Sequence, residues 1–341
     1  MRTTFGKKQM IFSSILFCLI SYLTAVYAWG QSAHQAKLIE GAKKEGKLIW
    51  YTSMSTLSVK PLVTMFLEDY PYVKVEFVHV STGRIINRIN TESVAGKSLF
   101  DVVSANSLAV IGNQLSPYLS REVAAYPRDI RDPQGRWTGF DYNYYILAYN
   151  TRMVSEKEIP KDYEDLLHPK WKGKISIDAG DYLWYGALVS AWGMSKTDRY
   201  MNQLARQNIQ FRSGHTLITQ LIAAGESPLG FPYANTTERL KEQGAPVDWV
   251  DTLDPIVTGL NYIGISAKPN NPNAARLFID FILSKKGQEI IRSLGRLPVR
   301  ADVKPIYPKA DPTKLKLKQI PTEVYVNSKT YAEQFREIFN P

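Results

Sequence analysis

Apolar positions along the chain switch between two periods. Residues 33–44 carry Leu38, Ile39 and Ala42 at helical spacing and are followed by Gly46, a residue suited to the turn past a helix end. Residues 47–52 (KLIWYT) then read as a strand and 53–58 (SMSTLS) as a polar turn. Residues 57–70 read as a helix with Leu62, Val63, Phe66 and Leu67 on one face, ended by Pro71. The unit recurs twice. Strand 73–80, turn Ser81-Thr82-Gly83 and helix 84–94 come first, then strand 100–104, turn Ala105-Asn106-Ser107 and helix 108–115. Strand, polar turn and helix repeated in this way predict a mostly parallel sheet wound with helices, an α/β architecture.

Two unbroken extended runs, 139–153 (GFDYNYYILAYNTRM) and 259–267 (GLNYIGISA), interrupt that rhythm. Between them it restarts with different lengths: connector 160–174, strand 174–178, turn 179–185, helix 186–192, helix 216–224, strand 228–233, helix 235–243 capped by Asn235, and strand 247–251. The two runs predict a pair of strands crossing between two lobes, with 29–142 and 260–341 in the first lobe and 143–259 in the second. Asn271-Pro272 opens a helix to Leu283, a second helix over 285–294 ends at Gly295, and a proline-containing tail closes in a helix over 330–339.

Residues 1–28 change the picture. Arg2, Lys7 and Lys8 precede an apolar core over 10–25, and Val26-Tyr27-Ala28 offers small residues for cleavage, so a signal peptide and export are expected. The sole cysteine, Cys18, lies inside that core, which leaves no thiol chemistry, thiolate metal site or disulfide in the mature chain. Cleavage after Ala28 lowers the formal net charge from +10 to +7. The bases are dispersed and match no nucleic-acid motif, so no nucleic-acid partner is expected.

Ligands of parallel sheets sit beyond the carboxyl ends of the strands, where helix N-termini present free N–H groups. Three first-lobe turns answer to this, and they nominate Ser53, Ser55, Thr56, Thr82 and Asn106. In the second lobe the corresponding turns nominate Asp181, Tyr182, Trp184, Tyr185, Tyr233 and Asn235, with Asp178, Arg84 and Arg239 nearby. Hydroxyls, amides and helix N-termini suit carboxylate, phosphonate or phosphate groups. Trp184 and Tyr185 offer faces for an organic body, and Asp181 a partner for an amine. No metal ligand set and no cofactor is assigned.

The chain resembles the periplasmic solute-binding proteins of ABC importers, in the large family that includes ferric-ion, polyamine and phosphonate binders. The residues that carry the resemblance are 46–52 (GKLIWYT), Phe66-Leu67-Glu68-Asp69-Tyr70-Pro71, Phe100-Asp101-Val102-Val103, 166–173 (LLHPKWKG), 271–287 (NPNAARLFIDFILSKKG) and Leu297-Pro298-Val299-Arg300. It implies a two-lobed periplasmic-binding-protein fold, each lobe a mixed sheet flanked by helices, joined by two crossing hinge strands. It also implies a periplasmic monomer that closes on a small-molecule solute and delivers it to an ABC permease in the inner membrane. Ferric binders place a tyrosine pair after the strand matched here by 228–233, but this chain continues Ala234-Asn235-Thr236-Thr237. Its first turn is Ser-Met-Ser-Thr where many members carry His or Glu. A small organic anion or zwitterion is therefore the first expectation. Ferric ion, with Tyr182, Tyr185 or Tyr233 as ligands, and presentation of the solute to a membrane sensor remain as alternatives. An enzyme is not expected: Gly-x-Ser-x-Gly and His-Glu-x-x-His are missing, and the four histidines share no metal-ligand spacing.

Overall fold

In the computed structural model, which describes residues 34–340, the N-terminal strand–turn–helix units form as the periodicity predicts. The expected signal peptide lies outside the described residues. Residues 34–45 are helical (α1). Strands β1 (Lys47–Thr52), β2 (Lys74–His79) and β3 (Val102–Ala105) run parallel in the order β3-β1-β2. Helices α2 (Thr56–Asp69) and α3 (Thr82–Val94) follow β1 and β2. Leu48, Trp50, Tyr51 and Thr52 of β1 are all buried, as expected of a strand with helices on both faces. After β3 the chain makes a 3-10 turn over Ala109–Gln114 in place of the expected α-helix, because the backbone of Ile111 (φ −117°) leaves helical geometry. A two-residue strand, β4 (Leu115–Ser116), follows.

Strand β5 (Trp137–Tyr145) belongs to this first sheet, and after Ile146 the chain enters a second sheet as β6 (Leu147–Asn150). That sheet adds β7 (Ile175–Asp178), helices α4 (Tyr182–Trp192) and α5 (Met194–Ala205), β8 (Gln210–Arg212), α6 (His215–Ala224), β9 (Leu229–Gly230), α7 (Ala234–Glu242) and β10 (Val247–Val250). Its order is β10-β6-β9-β7-β8, with β7 parallel to both β8 and β9. The chain returns to the first sheet as β11 (Ile256–Ser266), which pairs antiparallel with β5 from Val257↔Tyr145 to Gly264↔Trp137. The two crossings are therefore neighbours, one at Tyr145–Leu147 and one over 251–255. The extended run 259–267 is the first-sheet body of β11 and not the crossing itself.

Helices α8 (Pro272–Leu283) and α9 (Lys285–Ser293) close the first core around Trp50, Phe66 and Phe278. Strand β12 (Leu297–Pro298) pairs with β5 and β13 (Leu317–Gln319) with the start of β11. The tail beyond them packs differently from the division that kept 260–341 with the first lobe. Tyr307, Ala310, Val324, Tyr325 and Phe335 are buried in the second core. Helices α10 (Thr322–Val326) and α11 (Ser328–Phe339) lie on α4. The reason is the apolar face of α11: Phe335 and Phe339 meet Phe211, and Tyr331 meets Tyr185. Among the described residues no helix is long and apolar enough to cross a membrane.

The α4 contact depends on a glycine. A Cβ on Gly186 would stand 2.5 Å from Val324 Cγ1 and 3.2 Å from the Tyr331 ring. Gly186→Ala is expected to cost ~1–3 kcal/mol as overpacking, read as a lowered thermal midpoint with the fold retained. An unchanged midpoint would mean that α10 does not sit on α4.

Candidate functional site

Because β1, β2 and β3 are parallel and in register, their carboxyl ends lie on one edge of the first sheet. The turn after β1 is fixed by a buried chain of hydroxyls. Trp50 Nε1 donates to Ser104 Oγ at 3.0 Å, Ser104 Oγ to Thr52 Oγ1 at 2.8 Å, and the Met54 N–H to Thr52 Oγ1 at 3.1 Å. The second sheet repeats the arrangement, with β7 leading to α4, β8 to α6 and β9 to α7. Five helices, α2, α3, α4, α6 and α7, begin at these edges. In none of them does the N-cap side chain bond the helix backbone.

All five starts line one cleft, which opens as two adjoining cavities sharing Asn106 and Tyr233. One, of about 490 Å³, is lined by Ser53, Ser55, Asn235, Arg239, Asn261 and Arg296 among others. The other, of about 430 Å³, is lined by Thr82, Tyr145, Asp178, Asp181, Tyr182 and His215 among others. Of the residues nominated from sequence, Ser53, Ser55, Thr82, Asn106, Asp181, Tyr182, Tyr233 and Asn235 thus face a common space. Thr56 is exposed and is not among the lining residues.

Trp184 and Tyr185 are corrections. Helix α4 starts at Tyr182 rather than 186, which turns both side chains away from the cleft. Trp184 packs on Phe231 and Tyr163. Tyr185 lies under α11 and donates to Asp198 at 2.8 Å. Spacing carried a signal: Trp184 and Leu188 are four residues apart, as are Tyr185 and Val189, a helical pattern of apolar residues. Other lining residues were missed, Tyr145, Asn261, Arg296 and His215 among them. Tyr145 and Asn261 are hidden in strand patterns, Arg296 follows Gly295 in a loop, and His215 reads as a turn residue. None has a local signature.

The cleft has two electrostatic characters. In the larger cavity Arg296 Nε donates to Asp141 Oδ2 at 2.8 Å, its Nη2 also bonds that oxygen, and Asn261 donates to the same oxygen at 2.7 Å. Asp141 is fully buried, so this pair is structural as well as facing the cleft. Arg239 makes no ion pair among the described residues and is exposed in the last turn of α7. In the smaller cavity Asp178 accepts from the Gly180 N–H at 2.7 Å and from the Gly214 N–H. Asp181 Oδ1 lies 3.3 Å from His215 Nε2. The His215 ring stacks on Tyr233 with centroids 3.8 Å apart. The Tyr233 hydroxyl donates to that of Tyr145 at 3.4 Å. Burial pushes both phenols above their ordinary range. Among the described residues no group of three or more His, Cys, Asp or Glu is placed to hold a metal ion.

This arrangement, two sheets facing each other across a cleft lined by helix starts and joined by two neighbouring crossings, is that of a two-lobed solute-binding protein. The model of the bacterial extracellular solute-binding protein family matches residues 92–316, and the chain belongs to that family. Proteins of this kind bind small solutes and work with the membrane permeases of ABC importers. An Fe(3+)-binding periplasmic protein of Serratia marcescens is 23% identical over 80% of this chain and 84% of its own. Among solved structures, iron-bound HitA from Pseudomonas aeruginosa superposes with a TM-score of 0.77 at 17% identity, covering 86% of this chain and 99% of that one. The periplasmic binding protein AfuA from Actinobacillus pleuropneumoniae, with exogenous fructose-6-phosphate bound, gives 0.74 at 25% identity over the same shares of each chain.

The two arginines are expected to separate on stability. Arg296→Ala leaves the Asp141 carboxylate buried without its ion partner, and ~3–5 kcal/mol of unfolding free energy is expected to go with it. Arg239→Ala breaks no ion pair and is expected to stay within ~0.5 kcal/mol of the parent. Urea titration of both variants checks the contrast.

Proposed function

We propose that this chain captures a small organic anion, one bearing a phosphate, phosphonate or carboxylate group, in the periplasm and delivers it to an inner-membrane ABC permease. The observation that carries this reading is the convergence on one cleft of five helix starts, none capped by its own N-cap side chain, together with Arg239 and Arg296. The first turn of a helix has backbone N–H groups without partners and the positive end of the dipole, and both favour a bound anion. Ser53, Ser55, Asn106 and Asn235 add short polar groups from both sides of the cleft. A solute held by both lobes favours the closed state by the free energy of the contacts that only closure completes. The fructose-6-phosphate bound to AfuA supports a phosphorylated organic solute.

Ferric ion is the second reading, favoured by the names of the relatives and by Tyr145, Tyr182 and Tyr233 on the cleft. It is the weaker one for a physical reason. Tyr233 is followed by Ala234, and its hydroxyl is engaged with Tyr145. In the larger cavity the helix starts and Arg239 set a positive potential that suits an anion.

A thermal-shift screen of the purified protein against hexose phosphates, phosphonates, small carboxylates and ferric citrate tests the choice. A cognate anion at a hundred times its Kd adds ~2.7 kcal/mol, and Arg239→Ala is expected to weaken that anion about tenfold, the worth of one charge-assisted hydrogen bond. Stabilisation by ferric citrate alone, with a visible tyrosinate colour, would overturn the reading.

A further inference from the structure

The smaller cavity ends on a carboxyl group with a free oxygen. Asp181 occupies the N-cap position of α4 and is 2% exposed, yet its side chain does not cap the helix. Its Oδ1 faces His215 Nε2 at 3.3 Å, and its Oδ2, equally buried, has no partner. Each oxygen of the neighbouring Asp178 accepts one N–H, from Gly180 and from Gly214. His215 Nδ1 lies 3.2 Å from the carbonyl oxygen of Phe231, which can only accept. Nδ1 therefore carries the ring hydrogen, and Nε2 is left to accept from Asp181. Burial and the charge of Asp178 hold the Asp181 carboxyl well above the usual carboxylate range, while burial holds His215 below its own. The ligand-free pair is thus a carboxylic acid donating to a neutral imidazole, and Oδ2 is an unused acceptor on the cleft. Unsatisfied buried oxygens of this kind are costly and call for a partner.

We propose that the Asp181–His215 end of the cleft is a subsite for a protonated amine, so that the solute is a small zwitterion whose anionic group lies at Arg239 and Arg296. This rests on the organic-anion reading and narrows it. An ammonium supplies N–H donors for Oδ2 and a positive charge opposite Asp178, whereas a hydroxyl would satisfy Oδ2 and leave the negative field uncompensated. The proton on Asp181 has a short route: it passes from Oδ1 to His215 Nε2, which leaves a carboxylate against the ammonium and an imidazolium beside it. No proton need leave the site.

Matched ligands read this directly. Calorimetric Kd values are compared for O-phosphoethanolamine against ethyl phosphate, and for glucosamine 6-phosphate against glucose 6-phosphate, where amine replaces hydroxyl. The amine-bearing member of a pair is expected to bind at least about tenfold more tightly, and D181N is expected to bring the ratio toward one. The comparison within the parent protein stands on its own should D181N fail to fold. Equal affinities within both pairs would overturn the amine subsite and leave the anion reading intact. Binding of ferric citrate with none of the four phosphates would remove both.

Discussion

The N–H groups in the first turn of a helix have no acceptor inside that helix, and the rest of this molecule is arranged around where those groups point. Parallel pairing fixes the direction of β1, β2 and β3, and of β7, β8 and β9, so each helix that follows a strand must begin at the same sheet edge. The N-cap side chains could have consumed these donors, as Ser284 does for α9 by accepting from the Gly287 N–H. At the cleft they do not. Ser55 Oγ lies 3.4 Å from Ser58 Oγ, and Asp181 turns to His215. The donors are left for something that enters the cleft.

Charge then divides the cleft. Each character is built from a pair of like residues, one committed to the fold and one free. Arg296 is bound to Asp141, a fully buried acid that also takes the Asn261 amide, so its removal is a matter of stability before it is one of binding. Arg239 has no such commitment. Asp178 is likewise absorbed by two backbone N–H groups that hold the β7 turn to the start of α6, while Asp181 keeps one oxygen unused. The committed groups set the field, and the uncommitted ones are left with unused hydrogen-bonding capacity.

The chain's own pattern made the first sheet legible because strand, turn and helix there follow one another with short connections and regular periods. The same logic located the cleft-facing turns in both lobes, since it depends only on strand direction. It failed where a boundary moved by a few residues: starting α4 at Tyr182 carried Trp184 and Tyr185 from the cleft into the core. It was also blind to long-range partners. Arg296 reaches Asp141 across 155 positions, and Asp181 meets His215 from a different helix. The tail shows the same limit, because α11 finds its apolar partner on α4 and α5 rather than on the elements nearest in sequence.

The cleft lining and the crossing between the sheets meet at one residue. Tyr145 ends β5 immediately before the chain changes sheet, and its backbone bridges to Tyr233 at the start of α7. Its ring stands edge-on to both Tyr233 and His215, with centroids 5.0 and 5.4 Å away. On the other side, Tyr325 of α10 lines the same cavity, and its hydroxyl lies close to Gly259 of β11. His215 and Tyr233 are therefore packed against side chains that bracket both strands of the crossing. For closure to follow binding, the solute must interact more favourably with one arrangement of the lobes than with the other. The rings packed at the crossing have discrete arrangements and do not deform continuously. Side chains that line the cleft are in this way also packed against the crossing.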